Sequence, residues 1–213
     1  MAAKAARQRP FVIKIGGSLA ASPLLARWLQ ALERLSGEPI IVPGGGCFAD
    51  AVRQAQKAMG FDDLAAHRMA LLAMEQYGWA LAAQAPRLLI CATPAAIKRA
   101  WRLGRIPAWA PAHMLADGAP VPPSWDATSD SLAAWLAREL NATRLLLIKS
   151  VDLPSGAPLN LRELAEADMV DPLFPSLAGV SGADVYFAGP TAIDTAAAVF
   201  AQGGVPGALI PHA

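Results

Sequence analysis

FVIKIGGS, residues 11–18, is an apolar run that carries one lysine and then breaks into two glycines. Residues 11–15 read as a short buried strand, and an ammonium inside such a strand is costly to bury without an anionic partner. Gly16 and Gly17 let main-chain amides approach an anion with no Cβ in the way, and Ser18 adds a hydroxyl. The stretch therefore reads as a strand that delivers Lys14 and a glycine turn to something negative. A lysine snorkelling at a strand end, or a plain tight turn, is the ordinary alternative.

The same punctuation recurs along the chain. SPLLARWLQALERLSG (22–37) offers Ser22 as cap, Pro23 at the first helical position, an apolar face of Leu24, Leu25, Trp28, Leu32 and Leu35, and Gly37 as stop. PIIVP (39–43) is a second strand, ending in Gly44, Gly45 and Gly46, and FADAVRQAQKAMG (48–60) a helix with Phe48, Val52, Ala55 and Met59 as its stripe. Residues 63–84, apolar on most faces, predict a helix buried on several sides. Further strands are expected at 87–91, 106–111, 144–149, 184–189 and 207–210, alternating with helices from Thr93, over 129–141, near 161–167 and up to Phe200. Such alternation specifies an α/β fold, a three-layer α/β/α sandwich with a mainly parallel sheet.

At 213 residues the chain suits a single domain. The Pro/Gly-rich stretch 117–124 is the one plausible seam, dividing it into lobes of about 11–120 and 121–213. With 54% hydrophobic and 16% charged residues, apolar surface is expected to be hidden in subunit contacts, as in a homo-oligomer. Eighteen basic and 17 acidic residues create no field that would attract nucleic acid or an anionic membrane. Cys47 and Cys91 form neither a disulfide framework nor a metal-ligand spacing, so a cytoplasmic setting without a protein-bound metal is expected. The opening MAAKAARQRP reads as a loose basic tail with no signal-peptide core, and no apolar run is long enough to span a membrane.

Ligands of parallel sheets gather outside the carboxyl ends of strands. Both glycine turns fall there, each ahead of a helix, and neither matches a dinucleotide fingerprint or a P-loop, so a different phosphate architecture is required. In SWDATSDSLAAWLA (124–137), Asp126, Thr128 and Asp130 alternate before a helix, where they can cap it or supply Lys14 with a carboxylate. LLLIKSVDLPSG (145–156) is a strand running into Lys149, Ser150 and Asp152, which either turn or face a nucleotide.

KIGGS (14–18), IVPGGGCFAD (41–50), SDSLAAWLA (129–137) and LLLIKSVD (145–152), in this order, resemble the amino acid kinase family, which includes aspartate, glutamate and uridylate kinases. AHRMALLAMEQYG (66–78), PSWDATSDSLAAWLA (123–137) and VDPLFP (170–175) are similar to its short members of methanofuran biosynthesis, whose acceptor is an aminomethylfuran-methyl phosphate. The resemblance implies ATP with Mg2+, a small-molecule acceptor, and an acceptor lobe followed by a nucleotide lobe. It puts Lys14 at the transferred phosphoryl group with Asp130 orienting it, and Gly16, Gly17 and Ser18 on the ATP phosphates. Gly44, Gly45 and Gly46 would face the acceptor and the travelling phosphate, and Lys149, Ser150, Val151 and Asp152 the nucleotide. His67, Asp126 and Thr128 are candidate acceptor contacts, His67 being equally well explained as a core or interface histidine. One departure stands out: many members carry a second lysine late in the chain, and no lysine occurs here after Lys149. The expected reaction is ATP-dependent phosphorylation of a phosphate monoester to a diphosphate. A kinase acting on a carboxylate, or a nucleotide-binding storage or regulatory protein without turnover, are the alternatives.

Overall fold

A computed structural model describes residues 9–115, 121–155 and 159–212. Most of the basic tail, the first half of the 117–124 seam and part of the loop before 160 lie outside the described residues. The chain runs β1 (Phe11–Ile15), α1 (Leu24–Leu32), β2 (Pro39–Pro43), α2 (Gly46–Met59), α3 (Asp63–Ala82), β3 (Leu88–Cys91), α4 (Pro94–Arg102) and β4 (Ile106–Trp109). It continues with α5 (Ser129–Glu139), β5 (Arg144–Ile148), α6 (Leu161–Glu166), α7 (Phe174–Ser181), β6 (Asp184–Ala188), α8 (Ile193–Ala201) and β7 (Ala208–Ile210).

Among the described residues the strands form one sheet in the order β3-β4-β2-β1-β5-β6-β7, parallel except for β7, which runs antiparallel to β6. β1 pairs with β2 on one side and with β5 on the other, so the sheet's two halves meet at β1. That is the switch point where parallel sheets leave a crevice. Helices cover both faces. Phe11, Ile13 and Ile15 lie with Ile41, Leu146 and Ile148 under α1, α8 and the second half of α3, whereas Val12, Val42, Leu145 and Leu147 lie under α4 to α7. Side chains alternate along a strand. Lys14 is therefore on the face of Val12, the one that α5 covers.

The structure departs from the sequence reading in four places. α1 ends at Leu32, before Gly37, although Ser22 Oγ does accept the Leu24 N–H at 3.2 Å. Met59 is 76% exposed, and α2 buries Ala49 and Val52 instead. α3 is not covered all round: Leu64, Leu72 and Trp79 are 47%, 50% and 64% exposed along one side. Helix α7 was not expected, because FPSLAGVS mixes proline, glycine and serine; it forms by burying Phe174 and Ala178 beside α5 and α6.

Candidate active site

The two glycine turns touch. A Cβ on Gly17 would collide with the backbone nitrogen of Gly46, and one on Gly44 would collide with that of Gly17. Only the smallest residue lets these loops close on each other. Gly46 also has φ +55°, a left-handed backbone that glycine adopts without strain, at the first residue of α2. Not every amide is free for a ligand. Gly16 N–H donates to Ile148 O and Gly44 N–H to Ile15 O, each at 2.8 Å, extending the sheet. The amides of Gly17, Gly45 and Gly46 donate to no carbonyl among the described residues, and the last two stand at the start of α2, where helix amides lack partners.

Beside these turns lies a buried charge cluster. Asp130, the second residue of α5, meets the Lys14 ammonium through Oδ1 at 2.7 Å and the Lys149 ammonium through Oδ2 at 2.6 Å. Lys149 follows β5, and strand alternation carries it from Leu145 and Leu147 onto the face that holds Lys14. Burial outweighs the Asp130 carboxylate, Lys149 adds repulsion, and the Lys14 ammonium falls from 10.5 to about 8. Burial alone would raise Asp130, but Lys14 and Lys149 overcome it and hold the carboxyl at about 2. One carboxylate thus keeps two ammoniums together where water does not screen them. A doubly cationic seat of this kind, next to free amides, can stabilise negative charge on phosphoryl oxygens.

A cavity of about 470 Å3 opens from the glycine turns between α2, α3 and the start of α5. Gly17, Ser18, Gly45, Gly46, His67 and Thr128 line it, and so does Cys47, whose spacing with Cys91 had suggested no role. Burial lowers His67 below the ordinary histidine value. The Thr128 hydroxyl donates to Asp171 at 2.9 Å. Asp126 is exposed and outside the cavity lining. One wall was not foreseen: Arg53 pairs with Asp50 at 3.0 Å and stacks over Trp125, whose Nε1–H donates to Gln56 Oε1, while Gln56 Nε2–H donates to Asp63. Arg53 and Trp125 are 72 positions apart, so no local pattern announces the wall.

A second cavity, of about 340 Å3, lies by the carboxyl end of β6, lined by Asp152, Leu153, Gly189, Thr191 and Thr195 among others. Asp152 Oδ1 accepts from the Thr191 amide and hydroxyl at 3.0 and 2.7 Å. A Cβ on Gly189 would collide with Val151 O and with Asp152. The exposed Val151 stands on the rim of this loop. Between the two cavities the loops after β1 and β5 are joined by Ser18 Oγ and Ser150 Oγ, 2.8 Å apart.

The profile described as "Amino acid kinase family" matches residues 9–153. The [5-(aminomethyl)furan-3-yl]methyl phosphate kinase of Methanocaldococcus jannaschii is 29% identical over 176 residues, 78% of this chain and 81% of that protein. Among solved structures, the uridylate kinase of Archaeoglobus fulgidus superposes with a TM-score of 0.68 at 16% identity, over 94% of this chain and 99% of that one. An isopentenyl phosphate kinase gives 0.59 at 15% identity, over 95% and 100%. The matched profile covers both glycine turns, α5 and the end of β5, and the same sheet recurs in these neighbours: the chain belongs to the amino acid kinase family and is a phosphotransferase of that fold.

Proposed function

We propose that the chain is an ATP-dependent kinase that converts a phosphate monoester of the aminomethylfuran-methyl phosphate type into a diphosphate. The observation that carries this reading is the Asp130 carboxylate holding Lys14 and Lys149 beside two touching glycine turns, a cationic seat for phosphoryl oxygens. A phosphate monoester is mostly doubly ionised near neutral pH, so its attacking oxygen needs no base. Positioning and positive charge are then sufficient. The substrate in the name of the Methanocaldococcus relative, a furan-methyl phosphate, agrees with such an acceptor.

ATP, bound with Mg2+, supplies the phosphoryl group and part of the charge neutralisation. The residues fit it: the amides of Gly17, Gly45 and Gly46 and the two ammoniums suit a polyphosphate, and the close approach of Gly189 to Val151 and Asp152 leaves a walled cradle for the remainder. Gly16 and Ser18 shape the first turn, with Ser150, Val151 and Asp152 on the nucleotide side. Gly44, Gly45, Gly46, His67 and Thr128 frame the acceptor, with Asp126 flanking the same loop. Residues of about 11–120 form the acceptor lobe and about 121–213 the nucleotide lobe. Lys149 takes the place of the missing late lysine, which answers the motive for a turnover-free reading.

Purified protein with ATP and Mg2+, assayed for ADP against a panel of phosphomonoesters and amino-acid carboxylates, tests this. ADP formed with a phosphomonoester, and a diphosphate in the phosphorus NMR spectrum, is the expected result. Acyl phosphate trapped as a hydroxamate, or ATP bound with no ADP formed from any acceptor, would overturn it.

We further propose that a second copy of the chain covers the exposed Leu64, Leu72 and Trp79 of α3. An oligomer by light scattering that dissociates on Trp79→Glu is expected, and a monomeric wild type contradicts it. No described helix is long and apolar enough to cross a membrane, and the free Cys47 and Cys91 suit a reducing, cytoplasmic setting.

A further inference from the structure

Asp171, between α6 and α7, is charged and yet only 7% exposed. Its carboxylate collects donors from two segments. Oδ2 accepts the amides of Thr128 and Ser131 at 2.9 and 3.0 Å and the Thr128 hydroxyl at 2.9 Å. Oδ1 accepts the Phe174 amide at 2.9 Å and the Ser131 hydroxyl in a short contact. These donors occupy the acceptor capacity of a carboxylate fully.

Thr128 stands at the cap position of α5 and gives its own helix no side-chain cap, so the cap comes from a residue 43 positions later. Asp171 thereby satisfies the amides at the cap and at the third residue of α5 and sets a negative charge against the positive end of that helix. Asp130 lies between the two residues whose amides are held. Fixing Thr128 and Ser131 fixes the backbone from which Asp130 reaches Lys14 and Lys149. The charges also balance, the buried Lys14 and the partly buried Lys149 against the buried Asp130 and Asp171.

We propose that Asp171 is a positioning residue for phosphoryl transfer: it clamps the first turn of α5 so that one Asp130 carboxylate meets both lysines. Asp171 acts through Asp130 and α5 and touches no reacting atom. The proposal rests on the reading of Lys14 and Lys149 as the phosphoryl-contacting cations. The charged groups facing Lys14 are Asp130 from α5, Lys149 from the end of β5 and Asp171 from the α6–α7 connection, and both carboxylates favour its protonated form.

Asp171→Asn keeps the volume, removes the charge and turns an NH2 group toward donors. The Lys14 ammonium is followed by NMR of 13Cε-labelled lysine, its signal assigned by its loss in Lys14→Met. The Lys14 titration midpoint should fall, with kcat lowered about 10²-fold and the KM for ATP nearly constant. A lowered melting temperature with an unchanged Lys14 midpoint would make Asp171 merely structural and overturn the proposal. The NMR arm needs no acceptor, so it remains decisive even if the phosphomonoester panel fails. Should Asp171→Asn not fold, Asp171→Glu keeps the charge on a longer arm that displaces α5. It should lower kcat about 10²-fold, and wild-type turnover in that variant would refute the clamp.

Discussion

Lys14→Met lowers kcat about 10³-fold at neutral pH while the protein stays folded and at least as heat-stable as the wild type. The loss follows from removing a fixed positive charge aimed at oxygens where negative charge builds up, an interaction worth about 10²–10³ in rate when the site is dry. Stability moves the other way because Lys14 is 4% exposed and its ammonium has been pushed down to about 8, so the charged form is disfavoured by the fold. Methionine fills nearly the same volume without that charge, and Asp130 still keeps Lys149. The sign of the pH dependence is fixed by the same lowering. Free enzyme loses the Lys14 proton as pH rises through about 8, so kcat/KM should decline above that value. Meanwhile the unfolded chain still holds the proton up to 10.5, so the Lys14 contribution to stability grows between about 8 and 10.5. A variant that turned over at the wild-type rate would remove Lys14 from the mechanism.

Asp130→Asn is expected to destabilise more than any lysine substitution in the site. It leaves the buried Lys14 ammonium and the partly buried Lys149 ammonium facing one neutral amide, and breaking a buried ion pair from one side costs about 3–5 kcal/mol. For a chain of this size that corresponds to a melting temperature lower by on the order of 10 °C. Activity should also fall about 10²-fold or more, because the lysines lose the group that holds them side by side. The deficit in stability should narrow as pH rises through the Lys14 titration, since a neutral amine no longer repels Lys149. In the wild type the Asp130 carboxyl protonates only in strong acid: it sits at about 2 against 3.8, so its contribution is complete above 3.8 and is lost as pH falls toward 2. Thermal melts across pH, read by circular dichroism, check both statements. An Asp130→Asn protein that melts with the wild type at pH 7 would mean the cluster is solvated.

The sheet was legible because every strand is a short apolar run closed by glycine, proline or a polar turn, and such runs need no long-range information to be recognised. Lys14 stood out for the same reason, as one charge in a run otherwise fit for burial. What the sequence concealed is contact between distant segments. That Gly16 and Gly44 give their amides to the sheet, leaving Gly17, Gly45 and Gly46, depends on the register of β1, β2 and β5. Asp171 reads as a loop residue until the fold brings the α6–α7 connection against Thr128 and Ser131. Helix α7 was hidden likewise: Asp171 accepts the Phe174 amide at its start, and burial of Phe174 supplies what propensity lacks. Met59 failed for the opposite reason. It continues an apolar stripe to the last residue of α2, where the chain leaves it exposed, and nothing local marks that limit.

The account turns on where the terminal phosphate of the nucleotide sits, and a crystal structure with a non-hydrolysable ATP analogue and Mg2+ measures that directly. The γ-phosphate should lie within hydrogen-bond distance of the Lys14 and Lys149 ammoniums and of at least one amide among Gly17, Gly45 and Gly46. A γ-phosphate bound elsewhere, with the lysine pair still closed on Asp130 and no oxygen near it, would contradict it.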